Sequence, residues 1–335
     1  MPTYNRLVPL SDINQVTKLV AAIKPHHIFA RNTEAILYYH SGENNSLSIL
    51  GAYTNNDELL GIHFFEKISF KTLDKNSVYG CLLIASPESP LGTGLSLLEQ
   101  TINSSPGRYI ATNVSPRMKK FHERLGVNIY PMDQYFLINK ISRPFSIIHC
   151  SNEYPILNQD TNTLPNYTQI TNLSQLLDFL SRINTSYLNQ KTPDTIAYKY
   201  LDNPFHSYQI YALETSQPIL LVTRKQFRGK RYIVKIIEIV AAPSFSLGLE
   251  IASLIKHKFF PNPSCEAAYI ICHLIGPSIG FHPFVSTKNV SSAYDVCVPS
   301  YFHPFIRENS LIYCATNMSN VFITSGDSDQ DRASK

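Results

Sequence analysis

Apolar residues recur along the first 140 positions with two periods, and the switches between them mark out alternating strands and helices. Residues 4–9 read as a short strand. Ile13, Val16, Val20 and Ile23 then form a stripe close to the 3.6-residue repeat of a helix, with Ser11 or Asp12 placed to cap it. The runs SILGAYT (48–54) and LLGIHFFE (59–66) are two strands, joined by TNNDE, whose Asn and Asp residues suit a tight turn. VYGCLLIAS (78–86) has the continuous apolar character of a buried strand. Leu95, Leu98 and Ile102 share one face of a helix over 94–102. RYIATNV (108–114) predicts a strand, 116–125 a helix, and QYFLIN (134–139) a closing strand.

Residues 141–166 break the pattern. They carry Pro144, Pro155 and Pro165 with NQDTNT between the last two, and read as a linker in which FSIIHC (145–150) is the strand-like run. The element order then repeats loosely. Leu173, Leu176, Leu177 and Leu180 define a helix, and Thr192 can cap a short helix opened by Pro193. Strands follow at 208–213, 219–224 and 231–240, then a helix at 246–258, a strand at 268–274, and two more in SLIYCAT and NVFITS. The repeat is one of element order and not of sequence. The pattern predicts an α/β chain with domains at 1–140 and 167–335, joined by the linker 141–166.

Composition narrows the function classes. A length of 335 residues accommodates two domains, and 44% hydrophobic against 16% charged residues supplies packed cores. The 29 Lys and Arg against 25 Asp and Glu leave +4, too mild for a dedicated nucleic-acid binder yet suited to a pocket for an anionic cofactor. The six cysteines show neither CxxC spacing nor zinc spacing with histidine, so no metal is expected and reduced thiols point to the cytoplasm. The N-terminus lacks the apolar core of a signal peptide, and no apolar stretch nears the ~18 residues of a membrane span.

Two segments carry chemistry. SPLGTG, Ser89 to Gly94, lies between a buried strand and a helix, where backbone N–H groups and the helix dipole can receive a phosphate. Gly92 and Gly94 permit close approach and unusual backbone angles; an ordinary turn would use them too. NVSPRMKKFHERLG, Asn113 to Gly126, opens a helix with Ser115 as cap and Pro116 at its first position. Met118, Phe121, His122 and Leu125 share a face of that helix, with His122 as its polar member.

Together these segments closely resemble the cofactor motifs of the GNAT N-acyltransferase superfamily. The family's loop, Gln/Arg-x-x-Gly-x-Gly/Ala, corresponds to Ser89, Pro90, Leu91, Gly92, Thr93 and Gly94, with Ser89 in place of the leading Gln/Arg. The family's Asn-x-x-Ala followed by Leu-Tyr-x-x-Leu-Gly-Phe corresponds to Asn113 to Pro116 and Phe121 to Val127. The resemblance spans residues 4–139 in element order. It implies two tandem GNAT-like domains, each a mixed, mainly antiparallel central sheet flanked by helices.

It also implies acetyl-CoA or another acyl-CoA as co-substrate. Pyrophosphate would lie on the amides of residues 89–94, with Ser86 and Lys119 completing the donor site. The pantetheine arm would enter between the strand ending near Ser86 and the strand ending near Asn113, bonded by Asn113. An amide near residues 86–88 would polarise the thioester. His122, at the family's tyrosine position, would protonate the leaving thiolate, since a histidine of ordinary pKa can give up a proton near neutral pH. Glu66, Tyr79 and His63 are the candidates for general base.

The second half has no Gly-x-Gly loop. Residues 191–211 and 325–331 resemble segments of tandem GNAT-like proteins from bacterial surface-polysaccharide gene sets, with Tyr198, Lys199 and Tyr200 where Trp-Arg-Tyr is usual. This points to an amine acceptor on a nucleotide-linked or lipid-linked sugar, contacted by Tyr198, His206, Asp327 and Asp329. A partly buried helix followed by an edge strand explains 191–211 equally well. The alternating Asp327, Asp329 and Asp331 lack the Gly and Glu of a calcium loop and read as a solvated tail. Two rivals are a tRNA-dependent aminoacyl transferase of the peptidoglycan cross-bridge type, which requires a basic face, and a non-catalytic CoA- or sugar-binding module on the same fold.

Overall fold

The structure is a computed structural model that describes residues 3–42, 44–68, 77–105, 109–151, 164–183, 191–273, 281, 283–286, 296–299, 301–302, 305–306, 312–316 and 323–324. The chain divides into two compact units, the first holding the described residues up to Tyr130 together with Tyr313–Thr316, the second running from Pro131 to Ile312 and including Ile323–Thr324.

The first unit is built on β1 (Thr3–Pro9), β2 (Ser46–Thr54), β3 (Leu59–Ile68), β4 (Ser77–Ala85), β5 (Tyr109–Val114) and, from late in the chain, β15 (Ile312–Thr316), in that spatial order. Neighbours are antiparallel except for the parallel pair β4 and β5. Helices α1 (Ile13–Ile23), α2 (Thr33–His40), α3 (Thr93–Asn103) and α4 (Pro116–Arg124) flank the sheet. Val16 and Val20 of the predicted stripe are buried, whereas Ile23 is exposed. Asp12 stands at the start of α1 without capping it, because its carboxylate accepts from the Tyr53 hydroxyl at 3.0 Å. Helix α2 is an addition to the sequence reading. Its ILYYH run has strand-like propensity, but Asn32 caps the helix by accepting from the Ala35 amide, and Phe29 and His40 pack on Phe64. Leu98 and Ile102 of α3 bury against Tyr109, Ala111 and Val114 of β5 and Ala315 of β15, with Met118 and Phe121 of α4 and the following Leu125 packed alongside.

The second unit orders β6 (Asn128–Ile138, its part from Pro131 on), β11 (Cys265–His273), β10 (Arg231–Val240), β9 (Ile219–Arg228), β8 (Gln209–Glu214) and β7 (Asn166–Ile170), with β10 and β11 parallel and the other neighbours antiparallel. Helices α5 (Leu173–Arg182), α6 (Pro193–Ile196) and α7 (Leu247–Lys258) accompany it. Thr192 caps α6 with Pro193 at its first position, as expected, and a π-helical turn, Ala197–Leu201, follows directly. Short strands complete the unit: β12 (Val285–Ser286) on β6, β13 (Tyr301–Phe302) against β14 (Phe305–Ile306), and β16 (Ile323–Thr324) on β11.

Two placements differ from the sequence reading. Residues 134–138 do not close the first sheet; they pair with β11 of the second unit, and β15 flanks β5 instead. FSIIHC is not a strand. The buried Glu266 carboxylate gathers the amides of Ser146, Ile147 and Ile148 at 2.7, 2.8 and 3.1 Å, so a side chain satisfies donors that a ladder would otherwise take. Of the NVFITS strand the described residues are Ile323–Thr324, which form β16, and its position matters. The Asp133 edge of β11 is already occupied at Cys272, so β16, which pairs with Cys272 and His273, lies on the β10 side. Thr324 completes the arrangement by donating its hydroxyl to the Ile237 carbonyl of β10 at 2.8 Å.

Candidate functional site

The first unit places the two sequence motifs around one strand junction. β4 and β5 pair only as Val78 with Tyr109, Tyr79 with Ile110 and Gly80 with Ala111. β4 then continues to Ala85 and β5 to Val114 without further partners on that side among the described residues. On its other edge β4 pairs with β3, with one extra β4 residue between the pairs His63–Leu83 and Phe65–Gly80. Such a bulge bends and twists a strand, and here it falls where β4 leaves β5. The expected splay is therefore present.

The amides available in the splay follow from strand alternation. The Ser86 N–H donates to the Leu60 carbonyl of β3 at 2.8 Å. The amides of Ala85 and Leu83 therefore point away from β3, toward the side β5 has vacated. This corrects the expectation for residues 86–88. Ser86 is committed to Leu60, Pro87 has no N–H, and Glu88 N–H donates to the Ser86 hydroxyl at 3.2 Å.

The loop that follows leads into α3 as the motif requires. Gly92 caps the helix in the left-handed region at φ 93°, an angle that strains other residues. A Cβ at Gly94 would meet only ordinary contacts, at 3.9 Å from Ala85 and Leu83, so the protein itself does not demand glycine there. The amides of Ser89 and Thr93 are held by the carbonyls of Ser86 and Pro90, and the Ser89 and Thr93 hydroxyls donate to those same carbonyls at 2.7 Å. Ser89 and Thr93 thus shape the turn, with no donor left for an anion. The amides of Leu91, Gly92 and Gly94 have no partner among the described residues, which is the pattern of a helix N-terminus that can take a phosphate. Leu91 projects fully into solvent.

At the end of β5, Asn113 adopts φ 57°, a left-handed angle that Asn tolerates better than most residues. Its Nδ2 donates to Thr112 Oγ1 at 3.3 Å, and its Oδ1 is buried without a partner. Such an acceptor is costly unless a ligand supplies a donor. Ser115 then caps α4 by accepting from the Met118 amide at 3.3 Å, and Gly126 ends the helix region at φ 74°.

The acid–base candidates separate onto the two faces of the sheet. Glu66 lies opposite Tyr79, and Tyr79 opposite Ile110, so all three share one face. Thr112, two positions beyond Ile110, returns to that face and accepts the Tyr79 hydroxyl at 2.6 Å. Tyr109 alternates to the other face, where His122 meets it: Nε2 lies 3.3 Å from the Tyr109 hydroxyl. The His122 Nδ1–H donates to the Met118 carbonyl at 2.9 Å, so Nε2 is the acceptor for Tyr109. Burial also holds its pKa below the ordinary value. As placed, His122 has no N–H to offer a thiolate, and it stands across the sheet from Glu66 and Tyr79. His63 is likewise interior: its Nδ1 bonds Thr101 at 2.9 Å, and burial, reinforced by the charge of His122, pushes its pKa down to about 3.

The remaining candidates scatter. Lys119 lies on α4 with its ammonium 3.6 Å from Glu123 and over the Tyr313 ring. Tyr198 and His206 belong to the second unit, Tyr198 exposed on the π turn and His206 edge-on to Tyr208. Asp327 and Asp329 lie outside the described residues. Among the described residues no acidic, histidine or cysteine cluster could hold a metal, and no helix is long and apolar enough to cross a membrane. The sequence reading missed Thr112. Alternation in Tyr109–Val114 puts Thr112 on the face of Ile110, and only the Tyr79–Ile110 register makes that the face of Tyr79.

The sequence matches no family model and no curated protein. Solved structures do resemble the chain. A GCN5-related N-acetyltransferase from Anabaena variabilis ATCC 29413 superposes with a TM-score of 0.55 at 8% identity, covering 93% of this chain and 72% of that one. Another from Kribbella flavida gives 0.53 at 12% identity, covering 93% and 70%. The Saccharomyces cerevisiae N-myristoyltransferase with bound myristoyl-CoA gives 0.50 at 8% identity, covering 96% and 81%. At these identities the likeness establishes architecture, and the protein has the α/β fold of the GNAT acyltransferases.

Proposed function

We propose that the protein is an acyl-CoA-dependent N-acyltransferase whose donor site is the β4/β5 splay of the first unit. The observation that carries this reading is the convergence of three unsatisfied features on one junction. These are the open amides of Leu91, Gly92 and Gly94, the vacated edge of β4, and the buried, unpartnered Asn113 Oδ1. Each matches a part of an acyl-CoA: pyrophosphate on the loop amides, the thioester carbonyl on Leu83 or Ala85 N–H, and an arm amide on Asn113. Glu66, on the exposed-to-intermediate part of β3, takes the amine proton directly or through water. The acceptor is an amine carried on a sugar, held by aromatic faces and hydroxyls such as Tyr198 and those around His206 and Tyr208. The six cysteines form no disulfide, in keeping with a reducing cytoplasm, where acyl-CoA is found.

A thermal-shift titration with CoA tests the donor site. At a ligand concentration near 100 Kd, the wild-type chain gains about 2.7 kcal/mol by mass action. Gly92→Glu puts a carboxylate on the phosphate position and strains φ, and it abolishes the shift. A shift that survives Gly92→Glu overturns this placement of the cofactor.

A further inference from the structure

With His122 committed to Met118 and Tyr109, the departing thiolate needs another proton source. We propose that Thr112 supplies that proton and that Tyr79 replenishes it; this rests on the donor-site reading above. Thr112 Oγ1 accepts two hydrogen bonds, from the Tyr79 hydroxyl at 2.6 Å and from Asn113 Nδ2 at 3.3 Å. Its own O–H has no acceptor among the described residues, and the side chain is half-buried at the point where β5 leaves β4.

The left-handed angle of Asn113 explains why the two neighbours act together. In a regular strand their side chains would point to opposite faces. At φ 57° the Asn113 side chain swings back to Thr112. A free donor and a free acceptor therefore stand side by side, which is a use for strained backbone at a functional site. The sulfur of CoA stands two methylenes from the last amide nitrogen of its arm. If that amide donates to Asn113 Oδ1, the sulfur comes to Thr112.

The proton balance closes through one row of residues. The amine attacks the carbonyl and its proton passes to Glu66. The C–S bond breaks and its electron pair stays on sulfur, which takes the Thr112 hydroxyl proton. Thr112 oxygen takes the Tyr79 phenol proton, and Tyr79 recovers a proton from Glu66, its register neighbour on β3. Nothing is oxidised or reduced, and no further co-reactant enters.

The probe is free CoA bound to the full chain, with the pH titration of its thiol followed by thiolate absorbance. A donor aimed at sulfur stabilises the thiolate. Thr112→Val raises the bound thiol pKa by about one unit, a tenfold loss of thiolate near neutral pH, while the Kd for CoA stays within about twofold. Thr112→Ser keeps the thiol within about 0.3 unit of the wild type, and Tyr79→Phe gives an intermediate rise, as expected for a group acting through another. A Thr112→Val chain that binds CoA normally with an unshifted thiol overturns the relay and leaves the donor site standing. A wild-type chain that fails to bind CoA overturns both.

Discussion

The parallel pairs β4/β5 and β10/β11 begin alike and end differently. β10 and β11 stay paired through Lys235 and Tyr269 and then part, as β4 and β5 do after Gly80 and Ala111. β10 carries a bulge beyond that point, between Ile236 and Glu238, and a helix follows it as α3 follows β4. In the second unit the opening is filled by the chain itself, because β16 pairs with β11 inside it and Thr324 bonds β10. The helix entrance differs in charge. The Ser246 amide donates to the Ser244 hydroxyl, the Ser246 hydroxyl bonds Glu250 at 3.1 Å, and the Glu250 carboxylate sits in the first turn of α7. That charge repels an anion, whereas the first turn of α3 has no acidic residue. One architecture thus gives a strand opening left vacant by the described residues at β4/β5 and one filled by the chain itself at β10/β11. The polar interior of the second unit is structural: Glu238 holds the Lys191 ammonium and accepts the Tyr200 hydroxyl at 2.9 Å, all three buried.

The sharpest way to break this comparison is to attack the closed unit. Lys191→Met leaves the Glu238 charge buried without its cation and lowers unfolding free energy by about 3–5 kcal/mol, read by urea denaturation, while the folded fraction binds CoA with unchanged Kd. Loss of CoA affinity in folded protein would place the donor site in the wrong unit.

Asn113→Gly tests the open unit with a smaller effect. It relieves the left-handed angle, so the melting temperature holds or rises, yet CoA binding weakens about tenfold for want of one buried acceptor. Calorimetric titration that finds equal affinity contradicts the role of Oδ1.

Two effects near 1 kcal/mol follow. His63 is neutral when folded, with its pKa depressed to about 3, while the unfolded chain binds the proton near 6.5. The unfolded state therefore gains protons first as pH falls. Stability from this residue is complete above about pH 6.5 and is lost toward pH 3, at about 1 kcal/mol between pH 6.5 and 5.5. His63→Gln flattens this acid limb in pH-dependent melting. Thr324→Val removes one hydrogen bond from the closed cleft, costs about 1 kcal/mol, and leaves CoA stoichiometry at one per chain. Two CoA bound would show that the Thr324 bond itself, and not the β16 pairing alone, keeps the ligand out.

Much of the first unit was legible because its signals are local. Gly92, Ser115-Pro116 and Gly126 mark chain geometry that any fold must supply at those residues, and the structure uses each as expected. The role of His122 was not legible. Its position on the apolar face of α4 showed that it points inward, but not that Tyr109 and the Met118 carbonyl would occupy both nitrogens. Likewise nothing local distinguishes Ser89 as a turn former from Ser89 as a phosphate ligand.

The sequence by itself determined the α/β class, most of the strand and helix order apart from α2, and the two glycine- and asparagine-bearing turns, because periodicity, capping and backbone freedom act within a few residues. Only the tertiary structure decided which strands meet. It placed β15 against β5 and β16 inside β10/β11, across long stretches of chain whose pairing depends on edges formed elsewhere. It also set His122 and Tyr79 on opposite faces, since a face is fixed by register with neighbouring strands and not by the residue's own segment.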